Sequence, residues 1–133
     1  MRLKEKVSII TGAASGFGEG IAKKFSEEGA KLILVDINKD LLEKVSKDLN
    51  QDFFYTDVSS SSSMEKLSEY VLKKYQTIDI MVNNAGITHL PKPLEEVGEE
   101  EFDKVFAVNS KSVFFLWKIF CSTYEKTKKR FNS

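Results

Sequence analysis

Apolar residues fall in short runs separated by stretches of helical spacing. Val7-Ser-Ile-Ile10, Leu32-Ile-Leu-Val35, Phe53-Phe-Tyr55 and Ile78 to Val82 are runs suited to strands covered on both faces. Between them, Ile21, Ala22 and Phe25 share one helical face. Leu41, Leu42, Val45 and Leu49 share a second, and Met64, Leu67, Val71 and Tyr75 a third. Each stripe reads as core. Asn38 and the serine run Ser59 to Ser63 stand where helix caps are needed. Strands alternating with amphipathic helices predict an α/β, doubly wound parallel sheet with right-handed crossovers. Beyond the fourth run, Phe102, Val105 and Phe106 form the stripe of another helix. A long helix follows, with Val113 to Trp117, Ile119, Phe120 and Cys121 making it apolar nearly all round, so it needs burial on more than one side.

Lys6 to Asp36 adds chemistry to this pattern. The first strand ends in Thr11-Gly-Ala-Ala-Ser-Gly-Phe-Gly18, a helix follows, and the second strand ends on Asp36. Glycines at 12, 16 and 18 answer three needs: a sharp exit from the strand, close approach of backbone to a pyrophosphate, and close helix packing. A helix start there offers unpaired N–H groups and a positive dipole end to phosphate. Three glycines alone equally suit an ordinary turn. Two strands, a helix and a terminal acid favour a nucleotide site. The Asp36 carboxylate can accept both ribose hydroxyls and would repel a 2′-phosphate. No basic residue stands at 37 or 38, and Ser15 holds a turn position where an arginine could have met that phosphate. These residues favour NAD over NADP. Asn83-Asn-Ala-Gly86 closes the fourth run, where small residues admit a ligand to the crevice beside the first glycine turn.

Taken in order, the glycine turn, Asp57-Val58, Asn83 to Gly86 and Val108-Asn109 resemble the motifs of the short-chain dehydrogenase/reductase family. The nearest likeness is to its 3-oxoacyl-carrier-protein reductase-like and glucose-dehydrogenase-like members. The resemblance implies a Rossmann fold with strand order 3-2-1-4 over this stretch. It implies cofactor contacts from Gly12, Ser15, Gly16, Phe17, Gly18, Asp36, Ile37, Asp57, Val58, Asn84, Ala85 and Gly86, with Asp57 and Val58 flanking adenine. It implies hydride transfer between NAD and an alcohol or ketone, and a proton-relay role for Asn109. It also implies that the helix over 110–130 packs against a neighbouring subunit, giving a homo-oligomer.

The family's serine, tyrosine and lysine lie beyond a further strand. Tyr124-Glu-Lys-Thr-Lys128 spells Tyr-x-x-x-Lys, but it follows Asn109 within the same helical run, and no strand intervenes. It reads as a decoy. The chain is therefore expected to be a partial NAD-binding domain, residues 1–133, truncated after four strands and inactive alone. The fourth strand would be left as a bare edge. The alternatives are a non-catalytic NAD-binding module and a chain that associates with a partner through Val113 to Cys121.

Composition narrows the rest. Lysine plus arginine and aspartate plus glutamate are 20 each, so no net field favours nucleic acid or a membrane surface. At 133 residues one domain is the ceiling. No run reaches spanning length, the start passes too quickly into a strand for a signal peptide, and the single cysteine fits a reducing cytoplasm. Cys121, among aromatics, is expected to be a buried, inert thiol. His89 reads as a loop residue near the substrate mouth. Glu95, Glu96 and Glu99 to Glu101 read as a solvated helix start, with no metal expected, and Lys126 to Arg130 as charges complementing a helix end. No Gly-x-x-x-x-Gly-Lys-Ser/Thr occurs, which excludes a P-loop phosphotransferase.

Overall fold

The computed structural model describes the backbone of residues 1–131 and the side chains of all but 120, 122–124 and 126–131 among them. Four parallel strands, β1 (Val7–Thr11), β2 (Lys31–Asp36), β3 (Asp52–Tyr55) and β4 (Ile80–Val82), lie in the order β3-β2-β1-β4. The helices are α1 (Gly16–Glu27), α2 (Lys39–Leu49), α3 (Ser61–Lys74), α4 (Glu99–Phe106) and α5 (Ser112–Phe131). The doubly wound parallel sheet predicted from the hydrophobic pattern is the one observed.

Every residue of β1 is buried, as are Leu32 to Val35 of β2. Alternation sends their side chains to opposite faces. On one face Ile10, Leu32 and Leu34 meet Ala22 of α1 and Leu42 and Val45 of α2. On the other, Val7, Ile9, Ile33 and Val35 meet Met64, Leu67 and Val71 of α3 and Phe115, Leu116 and Ile119 of α5. Each fully buried aliphatic side chain contributes roughly 1.5–3 kcal/mol, so these two layers hold the sheet. The caps fall where the sequence placed them. Asn38 accepts the Leu41 N–H at 3.1 Å, and Ser60 accepts that of Ser63 at 3.3 Å.

The structure revises several expectations. The fourth strand is Ile80–Val82, shorter than the Ile78 to Val82 run. Just before it Asp79 holds Val7 at two points: its N–H donates to the Val7 carbonyl at 2.8 Å and its carboxylate accepts the Val7 N–H at 2.9 Å. Helix α1 begins at Gly16, inside the glycine turn rather than after it. Cys121 is exposed rather than buried. The inward positions of α5 are Ser112, Phe115, Leu116 and Ile119, and a residue two past Ile119 points to the far side of a helix with 3.6 residues per turn. Phe114 and Trp117 share that outward side and are 58% and 59% exposed. Phe102 and Phe106 of α4 are likewise exposed and stack on each other, ring centroids 4.6 Å apart. Among the described residues β4 has a neighbour, β1, on one side only.

Candidate cofactor site

The carboxyl ends of β1, β2, β3 and β4 open on a cavity of about 510 Å³. Gly12, Ser15, Phe17, Asp36, Ile37, Asp57, Val58, Asn84, Ala85 and Gly86 line it, together with Thr56, Ser59, Ile87, Lys104 and Val108. Of the residues expected at a cofactor, Gly16 and Gly18 belong to the turn but not to this lining, and Asn109, expected in the proton relay, is also outside it.

The turn after β1 shows which glycine does what. Gly12 has φ +65° and Gly16 φ +57°, both in the left-handed region that side chains disfavour. A Cβ on Gly16 would meet nothing within 4 Å, leaving room for an incoming group. A Cβ on Gly18 would stand 1.9 Å from the Gly12 carbonyl oxygen and 2.6 Å from the Asn84 amide nitrogen. Gly18 is therefore the close-packing glycine. Ser15 precedes α1 without capping it through its side chain, unlike Asn38 and Ser60. The first N–H to close on this turn is that of Glu19, to the Ser15 carbonyl at 3.2 Å. The N–H groups ahead of it, at the positive end of the helix, are donors suited to a pyrophosphate.

Asp36 does two things at once. Its Oδ2 accepts the Ala14 N–H at 3.0 Å and its Oδ1 the Asn38 N–H at 2.9 Å. The acid thus braces the glycine turn to the end of β2. Each oxygen has a second lone pair for a ligand hydroxyl. Asp57 takes both the N–H and the hydroxyl of Ser59 on Oδ1, at 2.9 and 2.6 Å, leaving Oδ2 open.

Thr11 joins the two halves of the crevice. This buried hydroxyl accepts the N–H groups of Asn84 at 3.1 Å and Ala85 at 3.0 Å and donates to the Val82 carbonyl at 3.3 Å. The Asn84 side chain donates to the Gly12 carbonyl at 3.2 Å. Thr11 opens the glycine motif, yet sequence spacing assigned it no task. Only the fold shows it meeting the turn after β4.

Asn109 lies in a π-helical turn, Ala107–Lys111, between α4 and α5. Its amide is used twice on one residue: the oxygen accepts the Ile87 N–H and the nitrogen donates to the Ile87 carbonyl, both at 2.8 Å. The wide turn and this two-point clasp tie the loop after Gly86 to the start of α5, a geometry frequent at functional sites. His89 bonds through Nδ1 to the Leu90 carbonyl at 2.8 Å in the same loop. The side chains of Tyr124 and Lys128, and the basic cluster from Lys126 to Arg130, lie outside the described residues.

A second cluster, at the far end of β3, was not foreseen. Asp52 Oδ2 accepts from Lys74 Nζ at 2.7 Å, from Tyr75 at 2.7 Å and from Tyr70. Burial pushes the Asp52 carboxyl up, but the hydrogen bonds from Lys74, Tyr70 and Tyr75 outweigh it and hold the carboxyl below its ordinary value. Burial and the Asp52 bond push the phenols of Tyr70 and Tyr75 up. Tyr70 and Lys74 therefore repeat the Tyr-x-x-x-Lys spacing with a phenol held protonated, which suits a structural clasp.

Residues 6–130 match the family profile described as short chain dehydrogenase. The chain belongs to the short-chain dehydrogenase family. It is 43% identical over 119 residues to zerumbone synthase of Zingiber zerumbet, covering 86% of this chain and 45% of that protein. It is 40% identical over 119 residues to the 3-oxoacyl-acyl-carrier-protein reductase of Thermotoga maritima, covering 86% and 48%. The crystal structure of a 3-ketoacyl-acyl-carrier-protein reductase from Brucella melitensis complexed with NADH superposes with a TM-score of 0.83 at 40% identity, covering 86% of this chain and 48% of that one. This short-chain dehydrogenase chain thus spans about half the length of the curated relatives it matches. Among its described residues no helix is long and apolar enough to cross a membrane.

Proposed function

We propose that this chain is the NAD-binding part of an oxidoreductase that transfers hydride between a nicotinamide cofactor and an alcohol or ketone. The observation that carries the reading is the pairing of a Gly12-to-Gly18 turn, unblocked by its own N-cap, with Asp36 at the next strand end. The turn's N–H groups and the open space at Gly16 receive the pyrophosphate. Asp36 holds the adenosine ribose, Asp57 and Val58 take the adenine, and Asn84 to Gly86 floor the cavity near the second ribose. The nicotinamide ring, when bound, gives or takes the hydride. Asn109 keeps Ile87 and the adjoining loop in place and, as the family resemblance implies, helps hold a water in the proton relay of the full site.

Asp36 supports NAD over NADP: its charge repels a 2′-phosphate, and no cation stands at 37 or 38. On this reading the 133-residue chain binds NAD without turnover. The exposed Phe114 and Trp117 of α5 and the Phe102–Phe106 pair of α4 support self-association through these helices. The lone thiol suits a reducing, cytoplasmic setting.

The test is calorimetric titration of the purified chain with NAD and NADP beside a coupled assay for alcohol oxidation. NAD is expected to bind more tightly than NADP, and Asp36→Asn to narrow the gap. Tighter NADP binding by the wild-type chain would refute the cofactor assignment. Turnover by the chain alone, abolished by Tyr124→Phe, would refute the reading of that tyrosine as a decoy.

A further inference from the structure

Two carboxylates, Asp36 and Asp57, line the cavity, and a dinucleotide brings two more negative charges with its phosphates. Lys104 is the one cation among the lining residues. It stands on α4 one helical turn before Val108, which lines the same cavity. A lysine on this helix has an obvious mate in Glu100, four residues back. The acid-first order suits an ion pair, yet Lys104 makes none with any described residue. Lys92, the cation that precedes it in sequence, is instead spent on Glu101. Among the described residues, the one cation lining this crevice has no ion-pair partner.

We propose that Lys104 is a cofactor-attracting residue: its ammonium acts on the phosphate charge of the dinucleotide and offsets the two carboxylates of the cavity. This rests on the reading of the crevice as an NAD site and adds an affinity determinant to it. The arm is long and solvated, so the effect is one of charge rather than fixed geometry. Three consequences follow. The contribution is largest at low ionic strength and fades as salt screens it. It requires phosphate on the ligand. Another cation, arginine, substitutes for lysine.

The experiment is titration of NADH and of uncharged adenosine against wild type, Lys104→Ala, Lys104→Glu and Lys104→Arg, in low-salt buffer and at physiological ionic strength. Lys104 is exposed, and thermal melts of the variants establish that each is folded. Lys104→Ala is expected to weaken NADH about three- to tenfold at low salt, by the Coulomb energy of one solvated charge. Lys104→Glu weakens it further, Lys104→Arg binds like wild type, and all differences shrink as salt rises. Adenosine binds all four alike. Lys104→Ala within twofold of wild type for NADH at low salt, or an equal loss for adenosine, overturns the proposal. A wild-type chain that binds no NADH overturns the functional reading beneath it instead.

Discussion

Thr11→Val removes one oxygen and nearly nothing else. Valine matches threonine in shape and strand preference, so β1 keeps its packing against both cores. Lost are the acceptor for two N–H groups, Asn84 at 3.1 Å and Ala85 at 3.0 Å, and the donor to Val82 at 3.3 Å. An N–H left without an acceptor in the interior costs about 1–3 kcal/mol. Asn84 and Ala85 are half-buried, so water recovers part of this, and about 1 kcal/mol per N–H is the appropriate end of the range. The sum is about 2 kcal/mol. For 133 residues, an unfolding entropy of about 2.1 cal/mol/K per residue converts this to a Tm lower by about 7 °C. The same bonds hold the turn after β4 against the glycine turn, so NAD affinity should fall with stability. Differential scanning calorimetry with and without NAD measures both, and Thr11→Ser, which keeps the hydroxyl, should restore most of each. A valine variant as stable as wild type, or a serine variant as damaged as valine, would refute the argument that the hydroxyl does the joining.

Gly18→Ala should abolish NAD binding and destabilise the chain, because its Cβ would stand 1.9 Å from backbone. Gly20→Ala, on the same helix with nothing within 4 Å, should instead stabilise by roughly 0.5–1 kcal/mol in a thermal melt. Ser8→Ala should raise stability by about 1 kcal/mol in urea titration, since the Ser8 hydroxyl is buried in β1 without a hydrogen-bond partner among the described residues. Acid sensitivity should report on Asp52. Its carboxyl is held below the ordinary 3.8, so its contribution is complete above that pH and is lost as pH falls through the lowered value. Asp52→Asn should cost stability at neutral pH and flatten the acid limb of the Tm-against-pH curve. An unchanged limb would assign the acid transition to other carboxylates.

The sheet and its helical faces were legible because the chain obeys local rules, whereas the strand order came from the family resemblance. Strand runs are short and apolar, stripes keep helical spacing, and Asn38 and Ser60 cap where caps are needed. The crevice was legible because glycines at 12, 16 and 18 and an acid at 36 are local motifs. Illegible were contacts between residues far apart in sequence. Thr11 meets Asn84 across 73 positions, Asn109 meets Ile87 across 22, and Tyr70 and Tyr75 meet Asp52 from the end of α3. Lys104 drew no reading from the sequence, and only the fold puts it among the residues lining the cavity. Cys121 failed for another reason. Aromatic neighbours in sequence suggested burial, but on α5 the aromatics Phe114 and Trp117 face outward with it.

The strand register carries a consequence for how the chain acquires its fold. β1 pairs with β2 at a separation of 24 residues, Val7 with Lys31, whereas it pairs with β4 through Ser8 and Ile80, far along the chain. Loop closure makes the second pairing slower. The glycine turn, Asp36 and Asp57 can assemble from the first three strands. The Asn84 wall arrives only when β4 docks on Thr11 and Gly12. A nascent chain should therefore pass through a species with half a crevice, one that offers phosphate donors but no second wall. Cofactor affinity would then rise only in the last kinetic phase of refolding, and added NAD would trap the finished state without hastening the steps before it.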